Sequence, residues 1–242
     1  MMKILFFIPV MILFFSCEKP MHEDSTQAAL PSSYMQRGID SIPFYSNNPY
    51  DAIGAVYGEI LQAHLDAAAT PTSNDSIYAY VNQLVVQHSF FHSLSYQQYS
   101  KIELGRLEDY ITYGKTLLPG IIQQLNLSTE VKSSHEEFVE LLIDKLNERE
   151  DYLVIHEYIL DYEDRILDDK EIGTTDKQYL LTVSSILRHS TYAKRKRPKK
   201  NTDLDWDWLT ASVLGTVEGT AQGDANGLTA SLKAAIMENP SP

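Results

Sequence analysis

The stretch 215–227, GTVEGTAQGDANG, places four of the chain's eleven glycines at a strict interval of four residues. In a single helix each interior glycine would cost about 1 kcal/mol relative to alanine, so close packing would have to compensate for it. Small residues at this spacing bring helices together inside membranes. The same residues also suit a turn between two helices. The candidate packing and turn glycines are Gly215, Gly219, Gly223 and Gly227.

Polar residues decide between these two interpretations. Glu218 and Asp224 interrupt the segment, and the uninterrupted run 208–217 is too short to cross a bilayer, which needs about twenty residues. We therefore predict a helix from about 205 to 219, a turn around QGDANG, and a second helix from about 228 to 237. The glycines would end one helix, permit the turn and let two small-residue faces meet.

The segment NNPYDAIGAVYGEILQAHLDAAA predicts the first helix of the folded part. Asn48 suits a helix cap, Pro49 the first helical position, and Asp51 the positive end of the helix dipole. Apolar residues then recur every three or four positions, which is typical of a helix with one buried face. They are Ile53, Val56, Ile60, Leu61, Leu65 and Ala68.

Similar apolar stripes predict several further helices. A second helix follows a cap at Asn74, and a third ends at Pro119. The long charged stretch after it is predicted to break near Asn147, and the capping box of Thr175 and Gln178 precedes another helix. Because no alternating run bounded by turns is present, the sequence predicts an all-α fold. That fold is a multi-helix bundle with a C-terminal glycine-rich helical hairpin.

The amino-terminal stretch MMKILFFIPVMILFFSCEKP has the pattern of a secretory signal peptide. One cation, Lys3, precedes twelve apolar residues at 4–15, a run too short for a membrane-spanning helix. The run is followed by Ser16 and by Cys17, which is the only cysteine of the chain. No disulfide is therefore expected, and the leader 1–16 is predicted to be removed.

The residues before Cys17 resemble the lipobox of bacterial lipoproteins. Ser16 is the small residue that precedes the cysteine in that family, whereas Phe14 and Phe15 replace the usual leucine and smaller residue. The resemblance implies that Cys17 is diacylglycerylated and that cleavage occurs just before it. Two or more acyl chains, at about 0.8 kcal/mol per buried methylene, give stable anchoring. We therefore expect the lipid bilayer as a partner and a lipid-anchored location in the bacterial cell envelope, on the periplasmic face or the cell surface.

Five segments follow from these patterns. We predict a signal peptide at 1–16, a lipidated cysteine with a flexible tether at 17–47, a helical bundle at 48–193, a basic linker at 194–204 and a glycine-rich helical tail at 205–242. The sequence NPYDAIG and the tail resemble helical secreted proteins and lipoproteins of the Bacteroidota. That resemblance covers a small part of the chain and implies no activity.

Charge narrows the range of partners. The formal net charge of −13 argues against nucleic acid as a ligand. The segment KRKRPKK is the exception, and it is interpreted either as a solvated linker or as an anion-binding patch for lipid headgroups or surface sugars. Its cations are Lys194, Arg195, Lys196, Arg197, Lys199 and Lys200.

The motif HSFFH is the strongest candidate for a metal site. On a helix, His88 and His92 would lie one turn apart on a common face, where two histidines can share a metal. The motif lacks the glutamate that a zincin carries beside its first histidine, and no third ligand is evident. A pair of polar residues at a helix edge is the alternative interpretation.

The sequence therefore predicts a binding or accessory module without a cofactor. No G-x-S-x-G elbow, phosphate-binding glycine loop or spare thiol indicates an enzyme. An envelope protein or a glycan is the expected ligand. The alternatives are a metal-assisted helical hydrolase that uses His88, His92 and a carboxylate, and a membrane-active or assembly-forming protein that uses the glycine tail.

Overall fold

A computed structural model describes residues 43–67, 69–195 and 208–239 of the chain. These ranges contain helices and no strand, which confirms the predicted all-α multi-helix bundle. Two short 3-10 helices, Ser89–Phe91 and Gly114–Leu117, accompany the α-helices. The α-helices are α1 (Asp51–Leu65), α2 (Asn74–Val85), α3 (Tyr96–Tyr99), α4 (Leu104–Tyr113), α5 (Leu118–Gln124), α6 (Thr129–Asn147), α7 (Tyr152–Asp168), α8 (Thr174–Arg195), α9 (Trp208–Thr220) and α10 (Asp224–Glu238).

Helices α9 and α10 form the predicted hairpin and lie at the centre of the bundle. Residues 209–217 and 225–237 are buried at every position. Helix α10 packs against α1, α2, α3, α4 and α8, and α9 packs against α4, α5, α6 and α8. A helix buried on all sides belongs to a protein interior. No helix in the described ranges is long and apolar enough to cross a membrane.

The hairpin is part of the bundle and not an addition to it. Helices α1 to α10 all fall within one compact unit, and the apolar residues of α9 and α10 belong to the same core as those of the other helices. The described part of the predicted tail, residues 208–239, therefore belongs to the same bundle as the helices at 51–195 and lies at its centre.

Glycines allow the two hairpin helices to touch. A Cβ atom on Gly219 would lie 2.9 Å from the Cα atom of Gly227, and one on Gly215 would lie 2.9 Å from the carbonyl oxygen of Ala230. Real side-chain carbons do not approach backbone atoms this closely. The close packing of α9 against α10 compensates for the low helix propensity of these glycines.

The turn between α9 and α10 is shorter than predicted. Gly223 has a φ of +128°, a conformation that favours glycine, and α10 begins at the next residue, Asp224. The prediction that Gly227 lies in the turn is therefore wrong. Gly227 lies in the first turns of α10, where its missing side chain makes room for Thr220 of α9.

The third predicted helix is divided. Helices α3, α4 and α5 and the 3-10 helix Gly114–Leu117 occupy its place and the residues after it. Pro119 does not end a helix but stands in the first turn of α5. A proline is tolerated there because the first amides of a helix have no partner within it.

The ends of α6 and α8 test two further predictions. The break near Asn147 is confirmed: α6 ends at that residue, Arg149 has a φ of 60°, and the amide of Glu150 donates to the carbonyl oxygen of Lys145 at 3.1 Å. This is a Schellman turn. Helix α8 begins at Thr174, so Thr175 lies inside its first turn and is not the predicted cap.

We expect the substitution Gly219→Ala to lower the free energy of unfolding by roughly 1–3 kcal/mol, because the new methyl group would press on the backbone of α10. The matched control is Gly120→Ala in α5, where an added Cβ meets nothing within 4 Å. That variant should gain up to about 1 kcal/mol from helix propensity. Urea unfolding of both variants measures the difference, and equal stabilities would contradict close packing at Gly219.

Candidate functional site

The two histidines of HSFFH do not share a helix face. Helix α2 ends at Val85, and His88 lies just before the 3-10 helix Ser89–Phe91, where its Nδ1 accepts the amide of Phe90 at 3.2 Å. His92 is exposed and follows that 3-10 helix. The predicted spacing of one α-helical turn is therefore wrong, because the helix ends before either histidine.

A carboxylate that the sequence did not indicate lies beside His88. The Nε2 atom of His88 is 3.0 Å from Oε2 of Glu59 in α1. These two side chains form an ordinary ion pair near the surface when the histidine is protonated. In the described part of the chain, no group of three histidine, cysteine, aspartate or glutamate side chains is arranged to hold a metal ion.

Several predicted sites fall outside the described residues. These are Cys17 and four cations of the basic segment, Lys196, Arg197, Lys199 and Lys200. Lys194 and Arg195 are the last residues of α8, and their side chains are likewise not described.

A buried ionic cluster joins the start of the folded part to α7 and α8. Arg188 of α8 is fully buried, and its Nη2 lies 2.6 Å from Oδ1 of Asp51 and 3.2 Å from Oε1 of Glu163. Its Nη1 donates to the carbonyl oxygen of Pro43. His189 places Nε2 3.3 Å from the same oxygen of Asp51. Two carboxylates and one guanidinium thus share an interior site.

The cluster shifts the pKa values of its two carboxylates in opposite directions. Burial raises the pKa of Asp51, but the hydrogen bond of His189 and the charge of Arg188 outweigh it, so the net pKa is lowered. Burial dominates at Glu163 and raises its pKa, although Arg188, Ser184 and Asn48 oppose that rise. Because Arg188 is inaccessible, we assign the cluster to stability and not to ligand binding.

Asn48 belongs to this cluster and does not cap α1. Its amide donates to Oε1 of Glu163 at 3.0 Å and to the carbonyl oxygen of Leu181 at 2.9 Å. Its own oxygen accepts the amide of Tyr50, the residue before α1 begins at Asp51. The predicted cap at Asn48 is wrong because α1 begins at Asp51 and Tyr50 holds the cap position. Asn48 instead ties the helix entry to α7 and α8.

A surface groove of about 570 Å³ lies between the start of α6 and the end of α7. Its lining combines hydroxyl groups, apolar side chains and charges of both signs. The hydroxyl groups are those of Ser128, Ser134 and Tyr162, the apolar side chains are Val131, Ile166 and Ile172, and the charged ones are Glu130, Arg165, Asp169 and Glu171.

Aromatic packing holds the inner wall of this groove. Tyr162 stacks on Phe138 with ring centroids 3.7 Å apart, and its hydroxyl lies 3.0 Å from Nδ1 of His135. Burial lowers the pKa of His135 to about 3, so the imidazole is neutral at physiological pH. Tyr179 contacts the ring of His135, and its hydroxyl donates to the carbonyl oxygen of Val217 in α9 at 3.0 Å. The groove wall is therefore tied to the central hairpin.

A lysine lies inside the bundle on α10. Lys233 is 1% exposed, and its Nζ atom lies 2.7 Å from Oγ of Ser100 and 3.6 Å from the centre of the Tyr78 ring. No ion pair of Lys233 is present among the described residues. Burial lowers the pKa of Lys233 to about 7, because no carboxylate offsets the loss of water around the amine.

Comparison with models of protein families, with curated proteins and with solved structures found no match for this chain. The function of the candidate sites therefore has to follow from their own geometry.

Sequence reasoning did not predict the partners of Arg188 and Lys233. A signal was present for Lys233, which stands within the apolar stretch SLKAAIM, whereas Arg188 stands within the mainly polar stretch SSILRHS. A charged residue inside a buried stripe points to a partner, but the stripe does not identify the partner.

We expect Lys233→Met to stabilise the protein at pH 7. The pKa of Lys233 is about 7 in the folded chain and 10.5 in the unfolded one, which corresponds to a penalty on the order of 4 kcal/mol at pH 7. The folded state binds fewer protons between these values, so the stability of the wild type should rise from pH 7 to 9.5. Below pH 7 the penalty should be nearly constant.

Urea unfolding at pH 7 and 9.5 measures this effect. The Lys233→Met variant should be more stable than the wild type at pH 7 and should lose most of the pH-dependent rise. The range stops at pH 9.5 because tyrosines begin to titrate above it. A variant less stable than the wild type at pH 7 would contradict the assignment of Lys233 as a destabilising buried amine.

Proposed function

We propose that this chain is a lipid-anchored protein of the bacterial cell envelope whose helical domain binds a glycan. The observation that carries the anchor is the single cysteine, Cys17, directly after a signal-peptide pattern that ends in Ser16. Thioether formation requires a thiol, so the position and uniqueness of this cysteine support lipidation.

The number of residues between the anchor and the domain supports this arrangement. Residues 18–42 separate Cys17 from the first described residue, Pro43. A flexible chain of that length would have a root-mean-square reach of about 25–30 Å. The bundle would then stand clear of the bilayer surface and be available to a ligand.

The groove between α6 and α7 is the proposed ligand site. Sugars offer apolar C–H faces and a dense set of hydroxyl groups. The groove offers apolar side chains such as Ile166, together with carboxylates, hydroxyls and Arg165, which accept and donate hydrogen bonds. This mixture favours a glycan over a purely apolar ligand, and an envelope protein is the alternative partner.

The other two functions have weaker support. Glu59 beside His88 is one observation in favour of a metal-assisted hydrolase, but a third ligand is missing from the described residues. The complete burial of 225–237 weighs against a glycine tail that acts on membranes from the folded state.

We expect radioactive palmitate to label the wild type in bacterial cells and to leave Cys17→Ala unlabelled, because Cys17 supplies the thiol. Protease treatment of intact cells on the same samples distinguishes the two leaflets: a protein cut from outside lies on the cell surface. An unlabelled wild type that is secreted normally would overturn the anchor. It would leave the groove proposal untouched.

Two neighbouring serines of α6 provide a matched test of the groove. Both are exposed, but Ser134 lines the groove and Ser133 does not. We expect Ser134→Trp to fill the groove and lower the affinity for a bound oligosaccharide at least tenfold, and Ser133→Trp to bind like the wild type. The probes are soluble peptidoglycan fragments and oligosaccharides from the cell surface, immobilised on an array. Equal binding by both variants would exclude the groove, and no binding by any form would exclude a glycan from this set.

A further inference from the structure

Lys233 has a geometry that packing does not require. Its amine lies within the core, yet it meets a hydroxyl group and an aromatic face and no carboxylate of the described residues. An apolar side chain of similar length would fill the same volume without the cost of burying a cation. Packing alone therefore does not explain why a lysine stands at this position.

The contact of Lys233 with Ser100 indicates a function for the amine. At 2.7 Å, the Ser100 hydroxyl and the Lys233 amine are in direct hydrogen-bond contact. A lysine whose pKa is close to 7 is largely neutral slightly above neutral pH, and its nitrogen then has a lone pair to accept a proton. A hydroxyl next to a neutral amine is a recurrent way to activate a serine.

Ser100 and its base differ in burial. Ser100 ends the short helix α3 and is half-buried, whereas Lys233 is 1% exposed. The flanking residues Tyr96 and Lys101 are exposed. The serine is therefore the member of the pair nearer to the surface, and the amine lies behind it in the core.

Tyr78 positions the serine. Its hydroxyl lies 3.1 Å from Oγ of Ser100 and donates to the carbonyl oxygen of Ile102 at 3.2 Å. Burial raises the pKa of Tyr78, so the phenol keeps its proton. The other titratable groups that act on this tyrosine are Tyr96 and Glu103.

We propose that Ser100 and Lys233 form a serine–lysine acyl-transfer site for esters. The Oγ atom of Ser100 attacks the acyl carbonyl carbon while its proton passes to Nζ of Lys233. The bond from that carbon to the leaving oxygen then breaks, and the leaving alkoxide takes the proton from Nζ. Nζ then takes a proton from water as the water oxygen attacks the acyl carbon. The bond from that carbon to Oγ breaks, Oγ takes the proton back from Nζ, and the carboxylic acid leaves.

A fluorophosphonate probe tests the nucleophile in the full-length protein. Its phosphorus atom is attacked by an activated serine, fluoride leaves, and the probe remains covalently bound. We expect labelling of the wild type at Ser100 by peptide mass spectrometry. Ser100→Ala should lose the label, whereas the matched control Ser93→Ala, at an exposed serine nearby, should keep it.

The role of the base has its own readout. We expect Lys233→Met to lower the labelling rate at least a hundredfold while circular dichroism shows the helical fold intact. The wild-type rate should rise with pH and reach half its maximum near pH 7, following the neutral amine. Hydrolysis of p-nitrophenyl acetate should show the same dependence on Ser100 and Lys233.

Three results would overturn the proposal. They are the absence of labelling in folded wild type between pH 6 and 9, labelling that persists in Ser100→Ala, and a Lys233→Met variant that reacts at the wild-type rate. The last result would leave Lys233 with a purely structural contact to Ser100. None of them bears on the anchor or on the glycan groove.

Discussion

The close approach of α9 and α10 at Gly219 and Gly227 is the constraint on which the rest of the structure depends. Two helices that touch at their backbones form a narrow rod whose side chains are buried on every side. Such a rod needs a complete cover, and α1 to α6 and α8 provide it, each through contact with one or both of its helices. The last two helices of the described chain are therefore the innermost.

The two buried cations of this core have different partners. Arg188 lies between two carboxylates and pairs with both, and the cluster joins residues 43–51 to α7 and α8. Lys233 has a hydroxyl and an aromatic ring in place of a carboxylate. The first arrangement stabilises a connection between segments, whereas the second lowers the pKa of an amine at the cost of stability. We connect this lower stability with reactivity, because a protein is often less stable with a functional residue in its active site than with an inert residue in the same place.

Local patterns in the sequence predicted local structure well. The hairpin, the break near Asn147 and the all-α class follow from spacing, helix stops and interrupted apolar runs, all of which act over a few residues. The pair of His88 with Glu59 and that of Ser100 with Lys233 could not be predicted, because they join residues 29 and 133 positions apart. Pro119 was misassigned because a proline fits the start of a helix as well as the end of one.

Native-state hydrogen exchange of the purified protein, with and without liposomes, tests the central role of the hairpin most directly. If the hairpin is the core, the amides of 209–217 and 225–237 exchange only by global unfolding and are the slowest of the chain in both conditions. If these amides exchange before those of α6 to α8, or become exposed when liposomes are added, the hairpin is a detachable element and its role as the core of the bundle is contradicted.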